Sequence, residues 1–111
     1  MKRIIFLLTL ALLTGAPLYA EEAIDASPVI IDVRTTAEFN EDHIAQALHM
    51  PYDVIDKMIG DKVADKDQPI VLYCRSGGRA GKAKATLEAL GYTHVENAGG
   101  LADMKAKLGS K

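Results

Sequence analysis

The sequence has only one cysteine, Cys74, so no disulfide bond can form within the chain. Its three histidines are scattered and do not stand at metal-ligand spacing with that cysteine, so no metal site is expected. The formal net charge is −2 and no basic stripe is present, which argues against nucleic-acid binding. Repeats, low-complexity segments, a phosphate-binding loop and a dinucleotide fingerprint are also absent. No cofactor is therefore expected.

The N-terminus has the features of a secretory signal peptide. A basic start is followed by an almost wholly apolar run over residues 4–13, and Ala20 is a small residue before an acidic pair. The apolar run is short for a membrane span, and an uncleaved anchor is the alternative. We expect residues 1–20 to be cleaved and residues 21–111 to form a single domain. The mature protein would then be periplasmic, monomeric and free of the membrane.

Strand and helix patterns alternate along the rest of the chain. The β-branched run at residues 29–33 is typical of a strand buried on both faces, and residues 70–73 resemble it. Shorter strands are expected over residues 47–50 and 94–97, the second followed by a turn over residues 98–100. This alternation predicts an α/β fold with a small parallel sheet of four to five strands and helices on both faces.

Four helices are expected between and after these strands, over residues 37–41, 54–59, 80–90 and 101–108. Asp53 is a suitable N-cap for the second helix, and Gly60 is a suitable residue to end it.

Cys74 stands between the end of a predicted strand and the start of a predicted helix. In α/β proteins this edge of the sheet binds ligands, and a helix N-terminus favours anions. A lone cysteine is usually a buried inert residue, and it can also form an intermolecular bridge or act as a reactive thiol. The Arg-Ser-Gly-Gly-Arg sequence that follows favours the reactive thiol, because a packed core position would not be followed by it.

The residues after Cys74 predict a loop that binds anions and stabilises a thiolate. Gly77 and Gly78 permit the backbone angles of a tight loop with inward N–H groups, and Arg75 and Arg79 add two positive charges. These features favour the thiolate, which is the reactive form. Cys74 is therefore the candidate nucleophile, and the anion-binding loop consists of Arg75, Ser76, Gly77, Gly78, Arg79 and Ala80.

This loop resembles the active-site loop of the rhodanese family of sulfurtransferases, which begins with cysteine and often has the sequence Cys-Arg-x-Gly. Residues 31–34, 38–51 and 97–100 resemble other conserved segments of that family, although Gln46 stands where the family usually has glycine. The resemblance extends over most of residues 23–108. It is strongest to the small, single-domain, periplasmic rhodaneses of the phage-shock-protein-E type.

The resemblance implies a thiosulfate sulfurtransferase. Cys74 would take the outer sulfur of thiosulfate as a persulfide, with sulfite leaving, and would then pass that sulfur to cyanide or a thiol. The implied partners are a small sulfur donor and a thiophilic acceptor. A persulfide carrier with little turnover of its own is the alternative.

The spacing between Cys74 and Arg79 bears on a second alternative, a small cysteine phosphatase. Such phosphatases have the spacing Cys-x5-Arg, whereas this chain has Cys-x4-Arg. By the resemblance, the shorter loop is the sulfurtransferase form. A tighter ring of amides also suits a single sulfur atom better than a tetrahedral oxyanion.

Four charged residues are candidates for supporting roles. Arg75 and Arg79 could hold the sulfonate end of the donor, or one of them could cap the helix or pair with a surface carboxylate. Asp32 and Arg34 follow the first strand, and we expect a structural ion pair or hydrogen-bond anchor near the site, because a buried charge needs a partner. A substrate role for Arg34 is the alternative.

Overall fold

The computed structural model describes residues 27–109, so the predicted signal peptide lies outside the described residues. One parallel sheet is formed by β1 (Val29–Asp32), β2 (Leu48–His49), β3 (Ile70–Cys74) and β4 (Val95–Gly100). The order across the sheet is β2-β1-β3-β4. The helices are α1 (Thr36–Glu41), α2 (Ile55–Lys62), α3 (Gly78–Ala89) and α4 (Leu101–Gly109). The predicted α/β fold with a small parallel sheet is confirmed.

The central strand β3 is buried along its whole length, and its side chains alternate between two cores. Ile70, Leu72 and Cys74 pack with residues of α2 and α3 on one face. Val71 and Tyr73 pack on the other face with a cluster that includes a residue of α4. Helices therefore cover both faces of the sheet, as the strand pattern predicts, and Cys74 is placed on the same face as α3.

The ends of α2 differ from those expected. Its N-cap is Val54, which makes no side-chain cap hydrogen bond, so the prediction that Asp53 caps it is wrong. The helix also continues through Gly60. Ile59 and Val63 lie one turn apart and are both buried in the core, so packing on either side of Gly60 holds the helix together.

The strand β4 extends beyond the expected residues 94–97, and the turn predicted over residues 98–100 is wrong. Gly100 pairs with Cys74 beyond an irregularity in the register of β3 and β4, so strand pairing overrides the turn preference of the glycines. The helix α3 likewise begins at Gly78 rather than at Ala80. Together these changes bring the end of β4 against the loop that follows Cys74.

Within residues 27–109, no group of three or more His, Cys, Asp or Glu side chains is placed to hold a metal ion. In the same range, no helix has the length and apolar character needed to cross a bilayer.

Candidate active site

Cys74 is the last residue of β3, and its sulfur lies beneath the N-terminus of α3. The residue is 1% exposed. Its Sγ accepts hydrogen bonds from the N–H groups of Gly77 and Ala80, at 2.9 and 3.4 Å. The N-cap of α3 is Gly77, which has no side chain, and Ala80 is the third residue of the helix. The sulfur therefore takes the place of the side-chain oxygen that usually accepts a hydrogen bond at a helix start.

These contacts control the ionisation of the Cys74 thiol. Burial raises its pKa, whereas the backbone N–H groups of Ala80, Ser76, Gly77 and Arg79 lower it, and the result is a pKa below the ordinary value. The positive end of the α3 dipole acts in the same direction. The site therefore presents a buried sulfur that ionises more readily than free cysteine.

The loop has a backbone conformation that requires glycine at one position. Gly77 has a φ of +107°, in the left-handed region. Its carbonyl accepts a hydrogen bond at 2.9 Å from Nδ2 of Asn97, and Oδ1 of Asn97 accepts one at 2.9 Å from the N–H of Gly99. The role of Asn97 is not evident from the sequence, because a contact between distant segments leaves no local pattern.

The end of β4 packs directly on the loop at Gly100. A Cβ atom built on Gly100 would overlap the carbonyl oxygen of Arg75 and lie 2.8 Å from its carbonyl carbon. The N–H of Gly100 donates to Oδ2 of Asp103 at 2.8 Å, which holds this glycine at the start of α4. Gly100 therefore leaves the space that the Arg75 peptide fills.

Arg79 forms an ion pair with the carboxylate of Glu38. Its Nη1 and Nη2 donate to the two carboxylate oxygens of Glu38, at 2.7 and 3.0 Å. Hydrogen bonds from Arg79 and Thr35 lower the pKa of Glu38 to about 2, so the pair stays charged well below neutral pH. Glu38 also completes a capping box with Thr35 at the start of α1. Arg79 thus ties the start of α3 to α1.

Arg75 is in a different environment. Its side chain is exposed, and among residues 27–109 the structure gives it no ion-pair partner. It lines a cleft of about 320 Å³, whose other lining residues are Arg34, Glu38, Glu41, Leu101 and Ala102. The guanidinium of Arg75 therefore has no ion-pair partner among residues 27–109, whereas Arg79 keeps only the donor groups that its two hydrogen bonds to Glu38 leave unused.

Asp32, the last residue of β1, forms a buried ion pair with Arg34. Asp32 is fully buried and Arg34 is 6% exposed. Nη2 of Arg34 lies 2.7 Å from Oδ2 of Asp32, and the N–H and Nε of Arg34 donate to Oδ1 at 2.9 and 3.0 Å. The guanidinium lies 5.6 Å from the ring centroid of Tyr73, on the core face opposite Cys74. The two charges satisfy each other within the core.

Comparisons with known proteins agree with this geometry. A family model described as "Rhodanese-like domain" matches residues 16–107. The thiosulfate sulfurtransferase PspE of Escherichia coli K12 is 39% identical over 98 residues, covering 88% of each protein. A solved structure, "rhodanese with anions from E. coli", matches with a TM-score of 0.67 and 39% identity, covering 69% of this chain and 91% of that chain. The rhodanese-like domain of the Anabaena Alr3790 protein matches with a TM-score of 0.68 and 29% identity. The match covers 79% of this chain and 83% of that chain.

Proposed function

Since this chain belongs to the rhodanese-like family, we propose that it is a thiosulfate sulfurtransferase that works through a persulfide on Cys74. The observation that carries the proposal is the pair of N–H groups, from Gly77 and Ala80, that donate to the sulfur of the chain's only cysteine. Similarity to a thiosulfate sulfurtransferase over 88% of both proteins supports thiosulfate as the donor. The acceptor is cyanide or a thiol.

In the first step, the thiolate of Cys74 attacks the outer sulfur of thiosulfate. A bond forms between Sγ and that sulfur, the sulfur–sulfur bond of thiosulfate breaks, and its electron pair leaves on sulfite. Sulfite is a weakly basic leaving group, so this step needs no general acid. The negative charge moves from Sγ toward the outer sulfur, and the N–H groups of the loop stabilise the anion before and after transfer.

In the second step, cyanide or a thiolate attacks the outer sulfur of the persulfide. The bond from Sγ to that sulfur breaks, and its electron pair restores the thiolate of Cys74. Because the same N–H groups of Gly77 and Ala80 face Sγ, they stabilise the leaving thiolate. The enzyme therefore returns to its starting state without a cofactor.

The burial of Cys74 bears on which donors can react. With the residue only 1% exposed, the sulfur offers little surface to a reagent. A small anion that presents a terminal sulfur meets this requirement better than a bulky donor. This favours thiosulfate or a donor of similar size.

The proposal is tested by intact mass spectrometry of the protein after incubation with thiosulfate. We expect the protein to gain one sulfur atom, to lose it on addition of cyanide, and to produce thiocyanate over many turnovers. An unchanged mass at saturating thiosulfate would rule out thiosulfate as donor. A stable persulfide that cyanide discharges only slowly would instead indicate a carrier.

We further propose that Arg75, rather than Arg79, is the main cation that holds the sulfonate end of thiosulfate. Its exposed guanidinium has no ion-pair partner among the described residues, whereas Arg79 has two hydrogen bonds to Glu38. Loss of a charge-assisted hydrogen bond of about 1.5 kcal/mol predicts that Arg75→Gln raises the KM for thiosulfate about tenfold. The value of kcat should change little, because the contact is made before and during the transition state.

Steady-state kinetics with varied thiosulfate measures this effect, and Lys84→Gln is the control. Lys84 carries the same charge on the surface of α3 and pairs with Glu88, away from the cleft. We expect Arg75→Lys to restore part of the affinity. A KM unchanged in Arg75→Gln but raised in Arg79→Gln would assign the sulfonate to Arg79 instead.

We also propose that the protein is exported to the periplasm and acts there as a monomer, free of the membrane. Support comes from the basic residues Lys2 and Arg3, the apolar run over residues 4–13 and the small residue Ala20. The mass of protein recovered from a periplasmic extract should correspond to a chain that begins at Glu21, and light scattering should give the mass of one copy. Retention of residues 1–20 in the membrane fraction would contradict this.

A further inference from the structure

Asn97 connects the two glycines that shape the loop and its neighbour. Its Nδ2 donates to the carbonyl of Gly77 at 2.9 Å, and its Oδ1 accepts from the N–H of Gly99 at 2.9 Å. Only one orientation of the side-chain amide satisfies both bonds, because one partner is an acceptor and the other a donor. Both glycines have positive φ, +107° at Gly77 and +91° at Gly99, a region that glycine adopts readily but in which its local preference alone does not hold it.

Gly77 is also the residue whose N–H donates to Sγ of Cys74, at 2.9 Å. Its carbonyl accepts a second hydrogen bond from the N–H of Gly81, at 2.9 Å. The direction of the Gly77 N–H is therefore linked through one residue to the contact that Asn97 makes. A Cβ on Gly77 would lie 3.5 Å from the Cα of Gly99, so the two segments are in direct contact beside this hydrogen bond.

We propose that Asn97 is a positioning residue for sulfur transfer, which holds Gly77 in the conformation that directs its N–H at Cys74. This inference rests on the proposed function, and it adds a residue of β4 to the control of the thiolate. Asn97 does not contact the sulfur itself. It acts by preventing the Gly77 residue from relaxing toward conformations in which its N–H points to solvent.

The exposure of Asn97 makes this inference testable. The side chain is at the surface, so replacing it removes its two hydrogen bonds and leaves the core packing in place. Asn97→Ala removes both hydrogen bonds. Asn97→Asp keeps the size and the acceptor for Gly99 but replaces the donor with a negatively charged oxygen facing the Gly77 carbonyl. The aspartate variant should therefore affect the loop at least as much as the alanine variant.

The experiment measures the pKa of Cys74 from the pH dependence of its alkylation by iodoacetamide, in the full mature chain. We expect both variants to raise this pKa, by about half a unit or more for the loss of one hydrogen-bond contact. We also expect kcat/KM for thiosulfate to fall about five- to tenfold at neutral pH. Glu96→Gln is the control, because it changes the adjacent exposed residue, which pairs with Lys107 rather than with the loop.

Two outcomes would overturn the inference. One is a thiol pKa that stays at the native value in both variants. The other is a pKa that rises equally in Glu96→Gln. The alkylation measurement uses no sulfur donor, so it is independent of the proposed function. A native protein that fails to take sulfur from thiosulfate, yet shows the pKa shift in the Asn97 variants, would contradict the function and leave the positioning role standing.

Discussion

A Cys74→Ser variant is expected to keep its fold and to lose thiosulfate turnover by a factor of about a thousand or more. Serine is close to cysteine in size, so the site beneath α3 stays filled. Its hydroxyl, however, does not ionise at neutral pH and forms no persulfide. Intact mass spectrometry should show no added sulfur on the variant, while the native protein gains one atom. Thiocyanate formation provides the rate.

The control for this comparison is the thermal unfolding of both proteins, which should show similar cooperative transitions. Because Cys74 is the only cysteine, any sulfur that the variant acquires could not be a cysteine persulfide. Turnover within a few-fold of the native rate would therefore show that the enzyme does not use a covalent persulfide, and the mechanism proposed above would be wrong.

Comparison of the native protein with Cys74→Ser also tests whether folding lowers the pKa of the Cys74 thiol. The folded state binds the Cys74 proton less tightly than the unfolded chain, because loop N–H groups outweigh the effect of burial. The native protein should therefore gain stability relative to Cys74→Ser as the pH rises through the folded-state pKa, and this gain is complete above the unfolded-state pKa. It is lost as the pH falls through the folded-state pKa. Urea unfolding midpoints across this pH range measure the difference, and a pH-independent difference would contradict it.

The position of Cys74 could be predicted from the sequence because the signals are local. A β-branched run before it and regularly spaced alanines and leucines after it place the residue between a buried strand and a helix. The glycines and arginines in between then identify an exposed loop rather than more core. Each of these patterns lies within a single strand, loop or helix next to the cysteine in the sequence.

The partners of the loop could not be predicted in the same way, because they come from distant parts of the chain. Arg79 pairs with Glu38, 41 positions earlier, and Asn97 reaches Gly77 from 20 positions later. From the sequence, Arg79 is as good a candidate for the donor as Arg75. Only the arrangement of α1 beside α3 shows that the guanidinium of Arg79 is already paired with Glu38.

The error at residues 98–100 has a related cause. Consecutive glycines usually indicate a turn, and Gly99 does have a positive φ. The glycines are nevertheless part of β4, because the strand must pair with β3 as far as Cys74 and must also let the Arg75 peptide pass. The sequence shows that glycine stands at positions 99 and 100. It does not show which contact in the fold requires glycine there.

Gly100→Ala is expected to produce the second large effect, a loss of activity of about a hundredfold through displacement of the loop. The added methyl group would overlap the carbonyl oxygen of Arg75 and would lie 2.8 Å from its carbonyl carbon and 3.4 Å from the N–H nitrogen of Ser76. All three atoms belong to the backbone, so no side chain can rotate away. Either β4 or the Arg75 peptide must move, and the N–H groups that face Cys74 move with the loop.

The same overlap should lower the free energy of unfolding by about 1–3 kcal/mol, the usual cost of overpacking a tightly filled site. Gly60→Ala is the matched control. Gly60 lies within α2 and has no positive φ, and a methyl group added there would meet no atom within 4 Å. Alanine there should raise stability by about 0.5–1 kcal/mol, because it is a better helix former than glycine.

Two measurements on both variants, urea unfolding and the pKa of the Cys74 thiol, distinguish a displaced loop from a general loss of fold. We expect Gly100→Ala to remain folded in buffer, with a raised thiol pKa and a lower rate of persulfide formation, because its N–H donors no longer reach Sγ. Gly60→Ala should keep the native thiol pKa and rate. If Gly100→Ala instead retains both, the Arg75 peptide can yield without moving the donors, and the close packing of β4 on the loop has no role in sulfur transfer.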